Sequence, residues 1–169
     1  MQLILQKHVG YSKLNIKKTL VLILLFVTMS PIYAQIKTGI IAPKTIEKYD
    51  CKELIRTDPS LVTIDAENFD KYVIKEFVRE GAKVILGGRL DKYDIIEIIK
   101  TDPSLVTIDA ENFDKYDIKE FVREGAHVLV GGRLDKYDII EIIRTNSDLV
   151  TVDGSNFDKY DLKELIKTF

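Results

Sequence analysis

The stretch TDPSLVTIDAENFDKY, residues 57–72, returns unchanged as residues 101–116, and GGRLDKYDIIEII, residues 87–99, returns as residues 131–143. The copies stand 44 residues apart, and each 44 divides into two cassettes of about 22. Val62, Val84, Val106, Val128 and Val150 fall every 22 residues without slippage. Tyr49, Tyr72, Tyr93, Tyr116, Tyr137 and Tyr160 keep the same beat at alternating intervals of 23 and 21. A fixed period of this length marks an architecture in which no unit buries its apolar face alone and neighbours stack to cover one another.

One cassette, Lys92 to Phe113, shows how a unit is built. Asp94 and Glu97 have capping-box spacing, and Tyr93 and Ile98 are placed to staple the helix start. The box recurs as Asp50/Glu53, Asp117/Glu120, Asp138/Glu141 and Asp161/Glu164. The second unit has Val73 instead, and Asp70 is the expected cap there. Ile95, Ile98 and Ile99 then follow helical spacing with one buried stripe. Proline ends the helix at Thr101-Asp-Pro103, and glycine ends it at Glu80-Gly81 in the alternate unit.

After each helix comes a β-branched alternation such as Leu105-Val-Thr-Ile-Asp109, which reads as a short strand. A degenerate first copy lies at Ile40 to Ala42. Strand–helix–strand links of this length give parallel strands with right-handed crossovers. Strands pack about 4.8 Å apart and helices about 8–10 Å apart, so stacking both in register bends the array. The expected fold is therefore α/β: a curved right-handed solenoid of about six strand–helix units, with the parallel sheet on its concave side. In period and architecture the chain resembles the leucine-rich-repeat proteins. It departs from their asparagine ladder, because Asn68, Asn112 and Asn156 occur only in alternate units and one place late. The resemblance implies a curved shape and carries over no functional residue.

Residues 1–34 read as a secretory signal peptide, leaving 35–169 as the repeat domain. Lys7, Lys13, Lys17 and Lys18 precede an apolar run from Leu20 to Met29, and small Ala34 precedes Gln35. The run is shorter than the roughly 20 residues a bilayer-spanning helix needs, so no membrane insertion is expected after cleavage. Export to the medium, periplasm or cell surface follows. Without those four lysines, 21 basic side chains face 27 acidic ones. That balance argues against nucleic acid, which needs a basic face. Cys51 is the single cysteine and occupies a position held elsewhere by isoleucine or leucine, so it reads as a buried hydrophobe rather than a nucleophile.

The candidate binding surface is the face of the sheet opposite the helices. Its central row is expected to be Thr63, Ile85, Thr107, Leu129 and Thr151. Beside it run Asp65, Asp109 and Asp153, alternating with Gly87 and Gly131; on the other side lie Lys83 and His127. Concave repeat faces commonly hold partners, although a plain solvated sheet face alternates in the same way. The aspartates come from every second strand, about 9–10 Å apart, too far for one calcium ion. The further ladder Asp70, Asp91, Asp114, Asp135 and Asp158 lies near helix starts. No cofactor is expected.

Catalytic motifs are missing from this reading. His127 is replaced by Lys83 one super-repeat earlier, the serines fall in turns, and no zinc spacing or phosphate-binding glycine loop occurs. Paired acids would suit a hydrolase by residue type alone. Ile96 and Ile140 stand where other units carry lysine and are expected to tuck between helices. The sequence thus points to a non-enzymatic, exported adhesion or recognition module for a protein or glycan. The alternatives are a structural protein, self-associating as a homodimer through its sheet edges, and, more distantly, a hydrolase.

Overall fold

The computed structural model describes residues 39–169. The expected signal peptide at 1–34 lies outside these residues. Six strands alternate with six helices: β1 (Ile40–Ala42), α1 (Lys48–Thr57), β2 (Val62–Asp65), α2 (Lys71–Arg79), β3 (Lys83–Leu86), α3 (Lys92–Ile99), β4 (Val106–Asp109), α4 (Lys115–Arg123), β5 (His127–Val130), α5 (Lys136–Ile143), β6 (Val150–Val152) and α6 (Lys159–Ile166). Every strand pairs in parallel with its sequence neighbour, in the order β1-β2-β3-β4-β5-β6. The chain is thus an α/β fold with a six-strand parallel sheet alternating with helices. No described helix is long and apolar enough to cross a membrane.

The period-22 valines carry the core. Val84, Val106 and Val128 are fully buried against Ile74, Ile95, Ile118 and Ile139 of the helices. Phe77 and Phe121 fill the larger gaps, each meeting Phe69 or Phe113 edge-on at 5.2 Å. Cys51 is buried in this core, and burial pushes its thiol pKa up. Ile96 and Ile140 are buried in the same core, tucked in as expected.

Two local expectations need correction. The helix caps are not Asp94, Asp117, Asp138 and Asp161. They are Asp70, Asp91, Asp114, Asp135 and Asp158, whose side chains accept from backbone N–H groups of the first turn. Asp94 and its equivalents sit one turn further in, at a position where an acid also suits the helix dipole. In α1 the cap residue is Glu47, which makes no side-chain cap bond, so Asp50 is not the cap there either. The tyrosines form no staple, because all six are exposed. Five of them lie under the preceding lysine instead: the ammonium of Lys136 is 5.1 Å from the ring centre of Tyr137, and that of Lys159 is 4.9 Å from that of Tyr160.

The register also departs from straight rows. Val84 pairs with Val106, and Val128 with Val150, each joining equivalent positions. Between β2 and β3, however, Val84 pairs with Ile64, and between β4 and β5, Val128 pairs with Ile108. Every second junction therefore slips by two residues. Two residues of rise over two strand spacings slope the rows by about 35°.

Candidate functional site

The slope re-sorts the side chains on the face opposite the helices. The expected central row of Thr63, Ile85, Thr107, Leu129 and Thr151 does not exist as one row. Three shorter lines replace it: Ile41, Thr63 and Lys83; then Asp65, Ile85, Thr107 and His127; then Asp109, Leu129 and Thr151. Lys83 thus stands beside Thr63, and His127 beside Thr107. Asp153 follows β6, its N–H bonded to the Val130 carbonyl at 2.8 Å.

Nor is this face an open, solvated wall. Thr63 is only 3% exposed, Ile85 and Leu129 are buried outside the main core, and none of the ten expected binding residues is fully exposed. The other seven are half-buried, and full exposure begins only beyond the carboxyl edge of the sheet, at loop residues such as Gly88, Arg89, Gly132 and Arg133.

Asp65 and Asp109 end β2 and β4 and organise the loops behind them. Asp109 Oδ1 accepts the Glu111 N–H at 3.3 Å, and Asp65 Oδ1 accepts the Glu67 N–H at 3.4 Å. Asp153 does the same for Ser155 at 2.9 Å. These are Asx turns, in which the side chain stands in for a backbone acceptor as the chain reverses. Burial raises the Asp109 pKa above the ordinary aspartate value. The Glu111 N–H opposes that rise, while Glu111, Glu67 and Asp65 add to it by like-charge repulsion.

Cations and amides stitch neighbouring loops together along the same edge. Arg89 Nη1 donates to Asn68 Oδ1 at 2.7 Å, and Asn68 Nδ2 donates to the Lys44 carbonyl at 2.8 Å. Lys44 Nζ reaches Glu67 Oε2 at 2.7 Å and, by hydrogen bond first, holds that carboxyl below its ordinary range. Arg133 Nη2 repeats the contact on Asn112 Oδ1 at 2.7 Å. Asn68 and Asn112 therefore tie neighbouring loops together, a role their spacing alone does not disclose. Gly88 permits a close approach of these loops, since a Cβ there would lie 2.8 Å from Asn112 Cβ. No group of three His, Cys, Asp or Glu side chains among the described residues could hold a metal ion.

No protein-family model and no curated protein matches the sequence. Among solved structures, native KDPGal is 14% identical over 76% of this chain and 69% of its own, with a TM-score of 0.45. A putative lyase/mutase from Burkholderia cenocepacia J2315 is 16% identical over 71% of this chain, with a TM-score of 0.44, and the chain spans 59% of its length. A cube-shaped, highly porous protein cage, designed by fusing symmetric oligomeric domains, is 15% identical over 78% of this chain and 50% of its own, at a TM-score of 0.40.

These findings correct the functional expectation. Neither KDPGal nor the lyase/mutase is described as an adhesion or leucine-rich-repeat protein. The expectations of a non-enzymatic protein, of an adhesion module working through its concave face and of a leucine-rich-repeat-like solenoid are not met. The inner face is half-buried, and its register slopes where straight solenoid rows were expected.

Proposed function

We propose that the protein acts at the carboxyl edge of its sheet, where Asp109 exchanges protons with a small polar anion. The observation that carries this reading is the placement of Asp109. It is a half-buried carboxylate at the end of an interior strand, beside the loop acid Glu111 and under the like-charge influence of Asp65 and Glu67, two strands back. Open α/β sheets gather their ligands outside the carboxyl ends of the strands. A carboxyl destabilised in its charged form is a better proton donor and acceptor near neutrality than a solvated one. Arg89 and Arg133 border the same edge and favour an anionic substrate.

Proton exchange at carbon offers a direct test. The protein is incubated in D2O with a panel of carbonyl-bearing carboxylates, and loss of C–H signals is followed by NMR. Catalysed exchange that disappears in Asp109→Asn is the expected result. No exchange with any compound, or exchange untouched by the substitution, overturns the reading.

For the finer shape, we propose an arc with right-handed crossovers and the slope of a (β/α)8 barrel, in place of an unsloped solenoid. A two-residue slip per 44-residue pair averages one residue per strand. That is the shear of eight over eight strands which tilts such barrels by about 36°. We also propose export, with residues 1–34 removed. N-terminal sequencing of the secreted chain should begin at Gln35, and an intact Met1 on a cell-retained chain counts against it.

A further inference from the structure

Each interior helix reaches forward to the next through a repeated set of ion pairs. Lys71 contacts Asp94 at 2.5 Å and Glu97 at 3.5 Å, and Lys75 contacts Glu97 at 3.4 Å. Forty-four residues on, Lys115 contacts Asp138 at 2.7 Å and Glu141 at 3.3 Å, and Lys119 contacts Glu141 at 3.2 Å. One more step brings Lys159 and Lys163 on α6. One step back from Asp94 and Glu97 lie Asp50 and Glu53 on α1. These four side chains are exposed and make no ion pair among the described residues. The two faces at opposite ends of the array are therefore the two halves of the contact made twice inside it.

Apolar exposure follows the same logic. Ile40 on the outer edge of β1 is 64% exposed, while its equivalents Val84 and Val128 are fully buried. Ile166 on α6 is 71% exposed, while its equivalents Val78 and Val122 are 2% exposed. The alternation is also in phase. The last described unit is of the same kind as those of β2 and β4, which precede the sloped junctions, and the first is of the same kind as those of β3 and β5, which follow them.

We propose that two copies of this chain join head to tail, β6 of one pairing in parallel with β1 of the next. By analogy with Ile64 and Val84, the junction sets Val152 opposite Ile40 of the next copy. Lys159 then meets Asp50 and Glu53 of the next copy, and Lys163 meets its Glu53. The contact is heterologous: each copy offers one half and retains the other, so it propagates into a ring or a filament. An unpaired parallel edge supplies backbone donors and acceptors, and the charge pattern selects the opposite end over a like one.

Sedimentation of the whole chain over a concentration series tests the proposal. Native protein should associate with rising concentration, and less so in high salt. Lys159→Glu with Lys163→Glu, or Asp50→Lys with Glu53→Lys, should weaken association on the order of tenfold or more, because attractions become repulsions. All four sites are exposed, and circular dichroism checks that each variant folds. Mixing the two double variants restores complementary ends and should restore association. A chain that stays monomeric throughout, variants that associate like the native chain, or mixtures that fail to recover would overturn the head-to-tail contact. The last outcome is what edge pairing between like ends predicts.

Discussion

Lys115 Nζ on one helix stands 2.7 Å from Asp138 Oδ1 on the next. The pair belongs to a ladder running from Lys48 and Lys52, both on Glu76, to Lys136 on Asp161 and Glu164. It holds neighbouring units in step outside the core.

The ladder makes stability pH-dependent at both extremes. Asp138, then Glu141, holds the Lys115 pKa above the usual lysine value; Lys119, then Lys115, holds Glu141 below the usual glutamate value. A raised lysine stabilises fully below its unfolded pKa of about 10.4, and that contribution is lost as pH rises through the folded value. A lowered glutamate stabilises above its unfolded pKa of about 4.3, and that contribution is lost as pH falls through the folded value. The urea midpoint should be flat between these limits and fall on both sides. Lys115→Met should lower the plateau slightly and soften the alkaline fall, most visibly at low salt. An identical profile for the variant would remove the ladder from the account of stability.

Caps offer a sharper comparison. Asp114 Oδ1 accepts from Tyr116 N at 2.8 Å and from Asp117 N at 3.0 Å, whereas Asp117 meets Lys92 at 3.0 Å. Asp114→Ala should cost about 1 kcal/mol, the usual loss of a cap. Asp117→Ala removes a surface pair and should cost less. Denaturant melts of the two variants in parallel decide it, and the reverse order would return the cap to Asp117.

Glycine at position 88 is required by space. A Cβ at Gly88 would lie 2.8 Å from Asn112 Cβ, while one at Gly87 would come no nearer than 3.8 Å to Glu67 Cγ. Gly88→Ala should therefore destabilise by about 1–3 kcal/mol, the range for overpacking. Gly87→Ala should be nearly neutral. Thermal melts that fail to separate them would show that the loop yields freely.

Asp109 should behave in the opposite sense to the ladder acids. Burial raises its folded pKa, so its relative contribution is best at low pH and is lost as pH rises through the folded value. Asp109→Asn mimics the protonated form and keeps an oxygen for the Glu111 N–H. It should melt higher than the native chain at pH 7 and lose that advantage near pH 3. A variant that is less stable at pH 7 would mean the carboxylate is satisfied there.

Much of the fold was legible because the repeat averages out local ambiguity. The valine beat set strands at Ile40, Val62, Val84, Val106, Val128 and Val150, each of which begins or lies within an observed strand. The caps were misread by one turn because Asp91 and Asp94 are both acids near a helix start, and spacing alone favoured the one with Glu97 behind it. The tyrosines misled because a large apolar ring beside a cap suits a staple, whereas its lysine neighbour holds it outward. The slip between β2 and β3 left no mark in residue type, since Val62 and Ile64 are equally good partners for Val84. Its trace is the tyrosine spacing of 23 and 21 against a constant 22 for valine, which betrays two kinds of unit without saying how they pair. Without the slip, side chains from different lines form one apparent binding row, and the carboxyl edge does not stand out.

Because the sheet slips only at every second junction, a single cassette is not an interchangeable part. Copying one alone would create a junction between two units of the same kind, a register that the described sheet nowhere contains. A gene lengthening by unequal exchange can therefore add this architecture only in doublets, as the verbatim return of residues 57–72 at 101–116 already records.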